Sequence, residues 1–206
     1  MAEKVQFATY AEHLSKDNKL QKLVLKFPNL QLKKRKNICL HLCASIMSQQ
    51  LSTKVADIIY KRFLALYGDA EPTPQQITDT PFEKLRGIGL SNAKVRYVQN
   101  VASYALEHGM DDKKLYKMSN EEVMHFLLPI KGVGKWTVEM LLMFALGRED
   151  VFAVDDLGIQ QGMTSLYKMD TSDKKVFKEK MLRLSEKWSP YRTYACLLLW
   201  KSKDEK

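Results

Sequence analysis

Apolar residues recur along the chain at intervals of three and four, the spacing that lines one face of an α-helix. In "VADIIYKRFLAL" they fall at Val55, Ile59, Phe63 and Leu66, and in "FKEKMLRLSEKW" at Phe177, Met181, Leu184 and Trp188. Both stretches predict amphipathic helices whose named residues face a core. Start signals mark other helices. Thr80-Pro81-Phe82-Glu83 and Ser119-Asn120-Glu121-Glu122 have the form of capping boxes, and Ser189-Pro190 sets a cap residue before a proline at the first helical position. About ten short helices follow from these patterns. No run alternates with period two for long enough to form a sheet, so the fold class is all-α. The chain of 206 residues can bury one substantial core or two closely packed lobes, and no low-complexity linker divides it.

The stretch "IKGVGKWTVEMLLMF", residues 130–144, sets two glycines at the mouth of a helix. Glycine takes positive φ without a Cβ clash and lets another backbone or a ligand come close. A turn feeding a helix presents unpaired amides and the positive end of the helix dipole, which together make an anion site. Gly132, Val133, Gly134 and Lys135 are therefore candidates to grip a phosphate, with an ordinary helix-to-helix turn as the alternative reading. "LRGIGLSNAKVRYV", residues 85–98, echoes the form: Gly87, Ile88 and Gly89, a helix beginning near Ser91, then Lys94 and Arg96 in its first turns. The pair reads either as two backbone clamps on one phosphate chain or as two plain turns. Lys33-Lys34-Arg35-Lys36 reads as a solvated patch.

Charge favours the phosphate. Lys and Arg number 33 against 24 Asp and Glu, for a net charge of +9, and the pI of about 9.3 fits an electrostatic footprint for nucleic acid. No window approaches a membrane span and "MAEKVQFATY" lacks a signal peptide's apolar core, so a soluble intracellular protein is expected. Cys39, Cys43 and Cys196 form neither a disulfide ladder nor a four-ligand metal pattern and read as core residues of a reducing compartment; the four histidines are scattered. No metal is required by this pattern.

Three segments in order carry a family resemblance. "IKGVGKWTVEMLLMFALGREDVFAVDDLGIQ" resembles the helix-hairpin-helix, Gly/Pro-rich loop and aspartate signature of the DNA glycosylase superfamily, "EKWSPYRTYACLLLW" the C-terminal pattern of its 3-methyladenine DNA glycosylase II branch, and "SIMSQQLSTKVA" the loop that this superfamily inserts into the duplex. The match runs from about Lys19 to Trp200. Two departures stand out. The extra N-terminal β-rich domain of the bacterial inducible member has no room here, so the compact form is the expected analogue. Lys131 stands where the hairpin often has proline.

The resemblance implies an all-α, two-lobed protein with a DNA-binding cleft between a central lobe, residues 38–152, and a second lobe of residues 1–37 and 153–206. It implies a monofunctional glycosylase that cuts the N-glycosidic bond of alkylated purines, chiefly 3-methyladenine and 7-methylguanine, in double-stranded DNA. A non-catalytic helix-hairpin-helix module is the alternative. Asp156, twenty residues after Trp136, is the expected catalytic carboxylate, which would stabilise an oxocarbenium-like sugar. A plain helix N-cap is its bland reading, and Asp155 is the adjacent claimant. Lyase members place a Schiff-base lysine where this chain has Trp136, so no lyase activity is expected. Lys135 is rotated about 100° away on the helix. Trp136, Trp200 and Met140 match the base pocket, where the indoles would favour a cationic base, and core packing is the alternative for Trp200. Gln50 and Leu51 match the wedge that fills the step vacated by a flipped base. The resemblance implies no cofactor, allows a structural monovalent cation at the hairpin, and implies a monomer working in a bacterial cytoplasm and nucleoid or a eukaryotic nucleus.

Overall fold

Most helices begin on a side-chain cap. The computed structural model describes residues 9–204 and contains α1 (Thr9–Leu14), α2 (Asn18–Lys26), α3 (Ile38–Ser48), α4 (Thr53–Ala65), α5 (Pro74–Asp79), α6 (Phe82–Gly87) and α7 (Asn92–His108). The chain continues through α8 (Asp112–Lys117), α9 (Asn120–Leu127), α10 (Lys135–Phe144), α11 (Leu157–Tyr167), α12 (Lys174–Ser185), a 3-10 turn at Glu186–Trp188 and α13 (Arg192–Asp204). Among the described residues there is no strand, and no helix is long and apolar enough to cross a membrane.

The Ser119 capping box forms as its sequence predicts, with Glu122 answering. The one expected at Thr80 does not. Thr80 Oγ1 donates instead to Gln76 O at 2.7 Å, and α6 starts after Pro81 without a side-chain cap. A capping box forms seven residues earlier, between Thr73 and Gln76, where Pro74 occupies the first helical position. Ser189-Pro190 likewise does not open a helix, because the Ser189 hydroxyl donates to Asp150 and α13 begins at Arg192.

The chain divides into two units, one of residues up to Leu32 together with Arg148 onward, the other of Lys33–Gly147. These boundaries lie five residues before those expected, for a local reason. Arg35 N–H donates to Ala145 O, and Tyr116 Oη donates to Arg35 O, which ties the Lys33–Lys36 run to the end of α10. Residues 148–151 are held by Thr193, whose Oγ1 donates to Arg148 O and accepts from Val151 N–H.

In the Lys33–Gly147 unit, α3 is central and packs on α4, α7 and α10. Ile38, Leu40, Leu42, Cys43, Ile46 and Met47 are all buried, so the helix is apolar around most of its circumference. On α4 the predicted stripe is only half covered. Ile59 and Phe63 are buried, whereas Val55 and Leu66 at the two ends of the stripe are 42% and 37% exposed.

In the other unit α11 packs on α13, with Gly162 allowing Leu199 to lie against its backbone. Phe177, Met181 and Trp188 are buried as the pattern predicts, and Leu184 is half-buried. Asp17 organises this core. It caps α2 through the amides of Lys19 and Leu20 and accepts from Tyr167 Oη at 2.8 Å and Trp188 Nε1 at 3.2 Å. Burial pushes its carboxyl up, but the bonds from Tyr167, Trp188 and the two amides outweigh that and hold it below the usual value.

A carboxylate depressed in the folded state stabilises the fold above its unfolded pKa and loses that contribution as pH falls through the folded value. The melting temperature should therefore fall on acidification below about pH 4. Asp17→Asn, which can still cap α2, should flatten that fall while lowering stability at pH 7. Thermal denaturation followed by circular dichroism between pH 7 and pH 3 checks this; an unchanged acid slope would assign the effect to other carboxylates such as Asp150.

Candidate functional site

The hairpin between α9 and α10 is built by two glycines with different tasks. Gly132 has φ +104, and a Cβ there would run into the Tyr97 ring. Asn100 Nδ2 donates to Lys131 O at 3.0 Å, so α7 seats the turn from below. Val133 is buried and its amide returns to Ile130 O at 2.9 Å. Gly134 is the N-cap of α10, brings no capping side chain, and is exposed, with no atom within 4 Å of where its Cβ would stand. Gly132 thus shapes the turn, and Gly134 leaves space in front of the first amides of α10. Lys135 pairs with Glu139 one turn on, at 3.7 Å. Among the described residues no group of His, Cys, Asp or Glu could hold a metal ion at this turn, and the carbonyls of Ile130 and Lys131 each accept one hydrogen bond.

The echo at residues 85–98 is more self-contained. Gly89 has φ +108 beside Arg62 and Ile59, while nothing crowds Gly87. Arg86 donates to Leu90 O and to Asn92 Oδ1. Ser91 Oγ caps α7 by accepting from Lys94 N–H. The Lys94 ammonium turns inward to Met47 O and Gln49 O at 2.9 and 2.6 Å rather than outward as a further phosphate contact.

After α3, Gln50 takes φ +58 and Leu51 N–H returns to Ser48 O at 3.1 Å. Both side chains are exposed, as a wedge requires. On α10, Trp136 is half-buried, whereas Met140 is 8% exposed and packs in the core.

The aspartate turn lies in the other unit. Arg192 holds Asp150 through its Nε at 2.6 Å and Nη2 at 2.9 Å, and buried Thr193 braces the following backbone. This brings the chain to Asp156, the N-cap of α11, whose Oδ1 accepts from Ile159 N–H at 2.8 Å. The same oxygen accepts from Trp200 Nε1 at 2.8 Å. Asp155 is instead an exposed ion pair with Lys178. Gly158 makes the approach of Trp200 to Asp156 possible: a Cβ there would stand 2.8 Å from the indole Cδ1 and 3.1 Å from Asp156 Oδ1. The sequence shows Gly158 two positions after Asp156, and the resemblance puts Asp156 and Trp200 in one site, but the hydrogen bond between them across 44 positions and the part Gly158 plays in it are not legible there. A groove of ≈ 650 Å³ between α11 and α12 includes Leu157, Phe177 and Lys178 in its lining, and none of the candidate residues.

Comparison with known proteins agrees with the motifs. A family model described as the HhH-GPD superfamily of base excision DNA repair proteins matches residues 43–189. The chain is 36% identical over 187 residues to DNA-3-methyladenine glycosylase 1 of Schizosaccharomyces pombe, covering 89% of this chain and 80% of that protein. The solved structure of a 3-methyladenine DNA glycosylase from the same yeast, in complex with abasic DNA, matches with a TM-score of 0.86 and 33% identity over 96% of this chain and 97% of that one. A DNA-3-methyladenine glycosidase from Bacillus halodurans matches with a TM-score of 0.81 and 35% identity over 95% and 89%.

Three alanine substitutions separate the glycines by stability alone. Gly132→Ala meets both an unfavourable φ and the Tyr97 ring and should cost about 2 kcal/mol or more. Gly158→Ala in a helix would ordinarily stabilise by up to ~1 kcal/mol; here it should destabilise, because the indole must move. Gly134→Ala should change stability by less than about 0.5 kcal/mol. Urea denaturation measures all three, and a stabilised Gly158→Ala protein would contradict the packing of Trp200 on Asp156.

Proposed function

Because the chain belongs to the HhH-GPD superfamily of base excision DNA repair proteins, we propose that it is a monofunctional DNA glycosylase that hydrolyses the N-glycosidic bond of alkylated purines and leaves an abasic site. 3-Methyladenine and 7-methylguanine in duplex DNA are its leading substrates. The observation that carries this reading is the carboxylate of Asp156, held by the start of α11 and by Trp200, in a chain similar over most of its length to 3-methyladenine glycosylases. The protein acts as a monomer wherever the genome lies, and it needs no metal for the steps below.

The chemistry follows from these residues. Departure of the base leaves positive charge on the sugar, and a fixed carboxylate stabilises that charge as it develops. A carboxylate is planar, so two donors on Oδ1 of Asp156 also set the direction of Oδ2. Water then adds at C1′ and the base is released. Trp136 has no amine with which to form a Schiff base, in keeping with hydrolysis without strand cleavage. Its electron-rich ring favours a cationic alkylated purine over a neutral one. The amides of Gly134 and Lys135, on the turn shaped by Gly132 and Val133, hold a backbone phosphate, the turn at Gly87 and Gly89 approaches a second one, and Gln50 and Leu51 fill the step left by the flipped nucleotide.

Asp156→Asn keeps the cap and removes the charge. Excision of 3-methyladenine from methylated DNA, measured by chromatography of released bases, should fall roughly a hundredfold, while duplex affinity holds or rises. Asp155→Asn should lose only its ion pair with Lys178 and excise almost normally. If Asp155→Asn is the inactive variant, the roles are exchanged; if both excise like the wild type, the catalytic reading of this motif is wrong.

Gly134→Val tests the clamp, since nothing lies within 4 Å of where its Cβ would stand. Affinity for damaged and undamaged duplex should drop by the same factor, and the salt dependence of binding should become shallower. A folded Gly134→Val protein with wild-type affinity would remove the hairpin from the interface.

A further inference from the structure

The end of α3 is held by a cation that comes from another helix. Lys94 lies in the first turn of α7, where Ser91 accepts its backbone amide at 3.3 Å. Its ammonium donates to Met47 O at 2.9 Å and Gln49 O at 2.6 Å. The last carbonyls of a helix lack intrahelical donors and carry the negative end of the dipole, so a cation there satisfies both demands. Burial pushes the lysine below its usual pKa, a cost that a solvated lysine avoids.

A second tie holds the same segment. Gln49 Nε2 donates at 3.1 Å to the hydroxyl of Thr137, a residue 2% exposed on the buried side of α10. Between these ties and the return bond from Leu51 N–H to Ser48 O, the chain turns through the left-handed conformation at Gln50. The side chains of Gln50 and Leu51 emerge into solvent directly after the anchored Gln49.

We propose that Lys94 is a positioning residue for the insertion loop, fixing the carbonyls of Met47 and Gln49 so that Gln50 and Leu51 meet the duplex as a preformed wedge. This rests on the wedge reading of Gln50 and Leu51 given above. A loop ordered in advance loses less conformational freedom on insertion, so the opened base step is reached at lower cost. Lys94 therefore acts before bond cleavage, on exposure of the base, and not through a phosphate.

Lys94→Met keeps the aliphatic stem and removes the donors. Its single-turnover excision of 7-methylguanine paired with cytosine should fall about tenfold, the scale of losing charge-assisted bonds. Excision of the same base left unpaired opposite an abasic site should be unchanged, because that step is already open. Affinity for undamaged duplex should stay within about twofold, since no phosphate contact is lost. Lys94→Arg, which keeps the charge and forked donors, should recover most of the paired-lesion rate. In a protein carrying Gln50→Ala and Leu51→Ala, Lys94→Met should cause no further loss.

Equal losses on paired and unpaired lesions, or full additivity with the wedge substitutions, would overturn the proposal and make Lys94 an ordinary fold-stabilising group. If the Gln50→Ala, Leu51→Ala protein itself excises the paired lesion at the wild-type rate, the wedge reading fails first. Should Lys94→Met not fold, Thr137→Val, nearly isosteric and lacking the acceptor of the second tie, decides through the same paired-against-unpaired contrast.

Discussion

The first amides of an α-helix have no partner inside the helix, and each helix start must answer them from somewhere. Here the answer is nearly always a local side chain: Asp17 for α2, Ser52 for α4, Ser91 for α7, Ser119 for α9, Asp156 for α11 and Asp173 for α12. At α3 the task is shared, with Asn37 accepting from Leu40 and Asp112 accepting from the amides of Asn37 and Ile38. α6, which starts after Pro81, and α10 depart from this rule. α10 begins on Gly134, with no capping side chain and open space where its Cβ would stand, on a turn that Tyr97 and Asn100 hold in place. A helix start presented in this way suits an anion supplied from outside, and a phosphodiester meets both the amides and the dipole.

The same constraint distinguishes two adjacent aspartates. Asp156 is drawn into the cap of α11, and its Oδ1 is gripped a second time by Trp200, an approach that only a glycine at position 158 permits. Asp155, one residue earlier, escapes the cap and pairs with Lys178 at the surface. Capping and transition-state stabilisation are often treated as competing readings of one aspartate. They are compatible here, because donors that fix a carboxylate in space also reduce the reorganisation needed when positive charge develops near it. The helix start and the indole are thus the means by which a flexible side chain becomes a preorganised one.

What the sequence reveals follows the range over which each interaction acts. The Ser119 capping box, the cap at Ser91 and the cap at Asp156 each join residues three positions apart, and local spacing shows them. Thr80 misled because two equivalent threonine-proline signals, Thr73-Pro74 and Thr80-Pro81, lie seven residues apart, and only tertiary position decides which hydroxyl turns toward its own helix. Periodicity identifies the face of α4 that carries Ile59 and Phe63, but not how far a neighbour extends along it, so the exposure of Val55 and Leu66 could not be read. The bonds from Trp200 to Asp156 and from Lys94 to Gln49 span 44 and 45 positions. Lys94 was legible as a basic residue entering a helix, and its inward direction was not, because a lysine stem reaches solvent or a buried carbonyl equally well.

A basic chain acting on bases that are themselves cationic has to separate two electrostatic tasks. Its charge of +9 draws it to the phosphate backbone at long range, while at the reacting sugar only a local negative charge helps. Placing that charge on a single anchored side chain lets both coexist, since Asp155 is already neutralised by Lys178. The division of labour then depends on the substrate. In the proposed reading, a cationic purine is a good leaving group and asks little of the carboxylate, so its rate rests on how readily the base is exposed, the step assigned to Gln50, Leu51 and the lysine behind them. In the same reading a neutral lesion reverses the weighting, because it must depart as an anion and separate charge from the cationic sugar, and Asp156 then becomes the limiting group. Selectivity for alkylated purines can therefore arise without a tightly fitted pocket: the carboxylate need only be strong enough for lesions whose own charge already makes them good leaving groups.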